Sequence, residues 1–139
     1  MSSPRAALLG VLLLLVPAAG ATGFQTPSHN ISCAMFDSHG SGAFVRCDIA
    51  HRDWALPHKP HTAGCHELDF EGDMEVDAAG KGHFICAGDT LLHQGPVLPY
   101  GHSKSVGRFT CTSATSGVTC RNRHNHHGFF MSRGSYRFF

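Results

Sequence analysis

The chain has 139 residues, 42% hydrophobic and 15% charged, with 16 Gly, 7 Pro and 6 Cys. That length fits one small domain and excludes two domains or a large enzyme scaffold. The formal charge of +1 gives the chain as a whole no strong field of either sign.

The first stretch reads as a secretory signal peptide over residues 1–21. Arg5 supplies the positive start, Ala6 to Val16 is apolar apart from Gly10, and Pro17 to Thr22 turns to small residues. Ala19 and Ala21 place small side chains where a signal peptidase accepts them, so cleavage is expected after Ala21. The apolar run is too short for a spanning helix and no second one follows, so no membrane anchor is expected. There is also no Cys at the cleavage point to take a lipid. The expectation is an exported, soluble domain over residues 22–139.

Beyond the cut, short alternating runs bounded by Gly, Pro, Asn or Ser recur, and helical periodicity is nearly missing. Ile31, Cys33 and Met35, then Val45, Cys47 and Ile49, alternate with smaller or polar residues about the turn-rich segment 37–42, which predicts a first hairpin. Trp54 to Pro60 reads as an extended crossing segment, because Pro57 and Pro60 deny ladder donors, and Trp54 is expected to pack over the sheet. A second hairpin is predicted from Leu68–Val76 to His83–Ala87, around the loop 77–82. A third pairs Gly107–Thr112 with Gly117–Asn122, and Phe129–Met131 is expected to add an edge strand. Ser132 is read as the cap of a short C-terminal helical turn holding Tyr136 and Phe139. The predicted fold class is therefore all-β: a small disulfide-stapled antiparallel sheet, or a compact barrel or sandwich of short hairpins.

All six cysteines lie after the cut, in an oxidising compartment, which favours disulfides over thiolate metal sites. Six cysteines allow fifteen pairings. Each neighbouring pair flanks a segment rich in turn residues, so the expected bridges are Cys33–Cys47, Cys65–Cys86 and Cys111–Cys120. Each is worth roughly 2–4 kcal/mol, mainly by restricting the unfolded chain.

Charge is split along the chain. Residues 22–100 hold all ten acidic side chains and four basic ones, a formal −6, whereas residues 101–139 hold six basic and no acidic ones, a formal +6. Either the halves neutralise each other in the fold, or the C-terminal third shows a basic face to an anionic partner. Arg121, Arg123, Arg133 and Arg137 alongside Phe129, Phe130 and Tyr136 make a candidate interaction surface, since Arg beside aromatics is a common interface composition. The competing reading places those aromatics in the core.

Signals for metal or catalytic chemistry are weaker. Twelve histidines, among them His58, His61, His66, His124, His126 and His127, invite Zn or Cu, yet His66-Glu67-Leu68-Asp69-Phe70 lacks the second His of HExxH. Asp69, Glu71, Asp73, Glu75 and Asp77 alternate with Phe70, Gly72, Met74 and Val76, which predicts one wet strand face of carboxylates. As a calcium loop the run fails: Gly72 stands fourth, not sixth, and position 80 is Gly where the bidentate Glu belongs. Gly101-His102-Ser103-Lys104-Ser105 falls one Gly short of GxSxG. Asn30-Ile31-Ser32 matches a glycosylation sequon. No catalytic residue, metal ligand or cofactor is assigned.

Several strings together carry a resemblance: Phe24-x-Thr26-Pro27-Ser28-x-Asn30-Ile31-x-Cys33, Val45-Arg46-Cys47-Asp48-Ile49, Cys86-Ala87-Gly88-Asp89-Thr90, Leu98-Pro99-Tyr100-Gly101, Gly117-Val118-Thr119-Cys120-Arg121-Asn122, and Gly128-Phe129 with Ser132-Arg133-x-x-Tyr136. Over nearly the whole of residues 22–139 the sequence resembles a family of small exported actinobacterial proteins built on a six-cysteine domain of unknown function. The resemblance implies export, one disulfide-bonded domain and a cell-envelope or extracellular setting, and it brings no catalytic residues. The acids around Glu71 and the histidines His124 and His126 depart from the pattern. The expected function is an exported, non-catalytic cell-envelope or extracellular binding module of unspecified role, with an anionic cell-wall or envelope component as the candidate partner and nucleic acid not expected. The alternative is a small secreted metal-dependent enzyme, or an enzyme inhibitor, using the histidines or acids.

Overall fold

The computed structural model describes residue 2 and residues 22–38 and 42–139, so the predicted signal segment, its cleavage point and residues 39–41 of the first turn lie outside the described residues. Among the described residues ten strands form two antiparallel meanders: β1 Thr22–Gln25, β2 Ile31–Asp37, β3 Ala43–Ile49, β4 Met74–Asp77 and β5 His83–Phe84, then β6 Ser103–Val106, β7 Phe109–Ala114, β8 Gly117–Asn122, β9 Gly128–Met131 and β10 Tyr136–Phe138. The first sheet has the order β1-β2-β3-β4-β5 and the second β10-β9-β8-β7-β6. Ala63–Cys65 makes one 3-10 turn.

Period-two alternation decides what is inside. Met35, Val45, Cys47, Met74 and Val76 of the first sheet face Phe109, Cys111, Val118, Cys120, Phe129 and Met131 of the second, all fully buried in one core. All three expected disulfides are present. Cys33 pairs directly opposite Cys47, and Cys111 opposite Cys120, each with Cα atoms 4.1 Å apart. These cross-strand bridges meet at the centre of the sandwich, with Sγ of Cys47 3.8 Å from Sγ of Cys120.

Two seams close the sandwich. On one side Trp54, Phe84, Tyr136 and Phe138 interlock at centroid distances of 4.7–6.0 Å, and the Trp54 Nε1–H donates to the Ser132 carbonyl at 2.9 Å. The predicted role of Trp54 is thus met. On the other side Asp37 accepts from the Arg108 backbone N–H at 2.7 Å and from its guanidinium, while Lys104 Nζ donates to the Gly23 carbonyl at 3.0 Å.

Several boundaries differ from the expectation. Both sheets remain open, so the molecule is a sandwich and not a closed barrel. The C-terminal helical turn does not form: Ser132 Oγ accepts the Ser135 N–H at 3.0 Å in a tight reversal, and Tyr136–Phe138 pairs with β9. Alternation of Tyr136 and Phe138 with Arg137 and Phe139 is a strand period, which a helical turn would have broken. Phe129–Met131 is consequently interior, with β10 at the edge. In the second hairpin the strand starts only at Met74, because Gly72 takes φ +96° under the Trp54 ring, leaving Asp69 with a lone bridge to Ala87. In the third hairpin β7 runs two residues past the predicted Thr112, and the reversal narrows to Thr115-Ser116. Strands β1 and β6 went unanticipated.

Candidate functional site

The outer faces of the two sheets differ. Residues 88–95 cross the outer face of the first sheet and are held there by Arg46, whose guanidinium donates to Asp48 at 2.8 and 2.9 Å and to Asp89 Oδ1 at 2.8 Å, while Asp48 also accepts the Leu91 N–H at 2.8 Å. Burial opposes the Arg46 charge, but these carboxylate bonds prevail and raise its pKa further. Asp89 is held below the usual carboxylate range by the same guanidinium. Asp73 lies under this crossing with only 6% exposure, 3.7 Å from Arg46. Burial first, then the Asp48 charge, pushes its carboxyl up to about 7.

The outer face of the second sheet is open. Ladder register places Ser103, Thr112, Thr119, Phe130 and Arg137 in one row across it. The adjacent row runs Ser105, Thr110, Arg121 and Gly128, and Gly128 exchanges backbone bonds with Phe139. Hydroxyl pairs Ser103–Thr112 and Ser105–Thr110 lie 2.7 Å apart. Gly128 has no side chain, so Arg121 and Phe139 meet across it: the Arg121 guanidinium is 5.1 Å from the ring centroid and that of Arg137 is 5.5 Å. A Cβ at Gly128 would also press on the Cys120 carbonyl. Arg121, Arg137, Ser103 and Ser105 are exposed, and no acidic residue occurs anywhere in 101–139.

Three of the seven predicted surface residues, Arg121, Phe130 and Arg137, share this face. Phe129 points into the core with no exposure, and Tyr136 is half-buried in the aromatic seam, because the register of β8 on β9 turns alternate residues inward. Arg123 is folded back onto the Gly107 and Arg108 carbonyls. Arg133 stands at the rim, 3.3 Å from Asp53, both well exposed. Phe139, expected to be held by a helical turn, instead joins this face, continuing the same period two residues beyond Arg137. At that rim a cleft of about 440 Å³ is bounded by Asn30, His51, Tyr100, Ser116 and Arg133, among others. The sequon Asn30 donates to the His51 carbonyl and accepts its N–H, so its amide is already engaged.

The acidic run does not form the predicted single wet face. Asp73 is buried, Asp77 Oδ1 accepts the Ala79 and Gly80 N–H groups at 2.9 Å, which lowers its pKa, and Glu75 faces His83 across the ladder at 3.7 Å. The Glu75 contact raises the pKa of His83. Among the described residues two groups have metal-ligand proximity: Glu75, Asp77 and His83, and the sulfurs of Cys33, Cys47 and Cys120. The second group consists of disulfide sulfurs and offers no thiolate. Of the histidines singled out from sequence, His58, His61, His66, His124 and His126 are exposed and His127 half-buried. Ser103, in the imperfect nucleophile string, is committed to its pair with Thr112.

Comparison with known proteins gives one match: a family model described as a family of unknown function, DUF6636, covers residues 7–139. No curated protein matches, and no solved structure matches.

Proposed function

Because the chain belongs to the DUF6636 family, whose description carries no activity, its role has to be read from its own surface, and we propose that it is an exported, non-catalytic module that binds an anionic glycan polymer of the cell envelope. The supporting observation is the open face of the second sheet, where Arg121 and Arg137 flank Phe139 on a chain segment without one Asp or Glu. Guanidinium groups pair bidentately with uronate carboxylates or phosphodiesters. The partly exposed ring of Phe130 suits the C–H face of a sugar ring, and the Ser/Thr pairs, each with one bond spent between its two members, keep lone pairs for sugar hydroxyls. The row crosses five strands, an extended path of the kind a linear polymer can follow.

Export is supported by the signal-peptide pattern of residues 1–21 and by three disulfides, which persist in oxidising compartments. No helix among the described residues is long and apolar enough to cross a membrane. The sequence resemblance, which implies an actinobacterial envelope setting, supports the same reading.

Cosedimentation with isolated cell-wall polymer at increasing salt tests the reading. Arg121→Ala with Arg137→Ala should weaken binding at least tenfold, with native affinity falling steadily between about 0.05 and 0.5 M salt as exposed charges are screened. Binding that ignores both the salt and the double substitution contradicts it.

A further inference from the structure

Glu75 and His83 stand directly opposite each other on β4 and β5, and Asp77 lies two residues along on the same face as Glu75. One ligand atom from each of the three comes within 4.8 Å of the others. His83 Nδ1 lies 3.1 Å from the Lys81 carbonyl. A carbonyl only accepts, so Nδ1 carries the proton and Nε2 is turned toward Glu75, 3.7 Å from its Oε1. The imidazole of a metal ligand is oriented in the same way, its second N–H spent on a carbonyl. A proton on Nε2 relieves the repulsion among these groups by pairing His83 with Glu75, and a divalent cation would take that proton's place between the same three side chains.

The frame beneath them is fixed. Asn122 Nδ2 and Asn125 Nδ2 donate to carbonyls of residues 77–79, and the Gly82 N–H donates to the Gly128 carbonyl at 3.2 Å. The ligand-bearing turn is thereby clamped to the second sheet, which lowers the cost of bringing the ligands together.

We propose that Glu75, Asp77 and His83 form a site for a divalent transition metal of the zinc class, through His83 Nε2 and one oxygen of each carboxylate. Imidazole with carboxylates is a usual zinc donor set at about 2.0–2.2 Å, and three protein ligands leave a fourth position for water or a ligand atom. The site is on the first sheet and is independent of the glycan reading.

Titration calorimetry of the intact protein with zinc chloride at pH 7 should show one ion per chain. Binding should weaken at least thirtyfold in His83→Ala and in Glu75→Gln, and stay unchanged in His126→Ala. In the unsubstituted protein, histidine-detected NMR should show zinc displacing the His83 Nε2 signal, a readout that does not depend on any variant folding. A protein that takes up no zinc at millimolar concentration, binding that survives His83→Ala, or zinc that moves loop histidines instead of His83 would each overturn the proposal.

Discussion

Asp73 is a carboxylate placed where its charge is unwelcome. Its carboxyl rises from 3.8 to about 7, since burial and the neighbouring Asp48 outweigh the attraction of Arg46 at 3.7 Å. Below about pH 4 the group is protonated in both folded and unfolded chains and costs nothing. Between about 4 and 7 the unfolded chain has released the proton while the folded one keeps it, so stability from this group declines as pH rises and levels off above 7. The decline totals on the order of a few kcal/mol at most. Asp73→Asn should therefore raise the urea midpoint at pH 7.5 and leave it nearly unchanged at pH 4, measured by fluorescence of Trp54. An equal effect at both values would show that Asp73 acts through packing. Position 73 was unreadable in the sequence, where it is one of five alternating acids; its burial arises from Gly72 turning the backbone and from residues 88–95 crossing above it, and neither leaves a local signature.

At the scale of single elements, the hairpins were legible because covalent and periodic signals coincide. Cys33 and Cys47, and Cys111 and Cys120, fall at inward positions of alternating runs on either side of turn residues, so pairing, register and disulfide all point the same way. Edge strands carried less: β6 is Ser-Lys-Ser-Val, with small hydroxyls in place of large apolar residues, and β1 gains its place mainly from pairing with β2. The choice between Phe129 and Phe130 was likewise closed to sequence, since a one-residue slip of β9 on β8 exchanges their faces. The bridges themselves differ in what they hold. Loop entropy alone ranks Cys65–Cys86, closing a separation of 21 residues, above Cys111–Cys120, with a separation of 9, by about 0.7 kcal/mol. Packing reverses that order, because Cys111 and Cys120 are both fully buried with the Cys120 sulfur against Cys47, whereas in the other bridge Cys65 is buried but Cys86 is partly exposed. Replacing both cysteines by Ala should cost about 3–5 kcal/mol at 111/120 and about 2–3 kcal/mol at 65/86 in denaturant unfolding. The opposite ranking would mean that the sulfur contact at the centre contributes little.

Across the whole molecule, charge separation along the chain becomes separation between faces. The acid-rich N-terminal half closes one sheet face under its own connector through Arg46, and Glu75 and Asp77 gather with His83, while the C-terminal segment, without Asp or Glu, leaves its sheet face bare. The two halves touch mainly through apolar side chains and the aromatic seam, so mutual neutralisation is confined to Asp37–Arg108 and Asp53–Arg133 among the described ion pairs between them. The basic, aromatic composition of residues 121–139 was visible in the sequence; which of those residues stand together was not, because it depends on Gly128 leaving a gap over which Arg121 reaches Phe139. The most direct test is NMR amide-shift mapping of the folded domain during titration with an anionic cell-wall glycan. Shifts confined to Thr119, Arg121, Phe130, Arg137 and Phe139 are predicted; shifts centred on the rim cleft around His51 and Tyr100, or no shifts at saturating glycan, would contradict the assignment of the open sheet face as the binding surface.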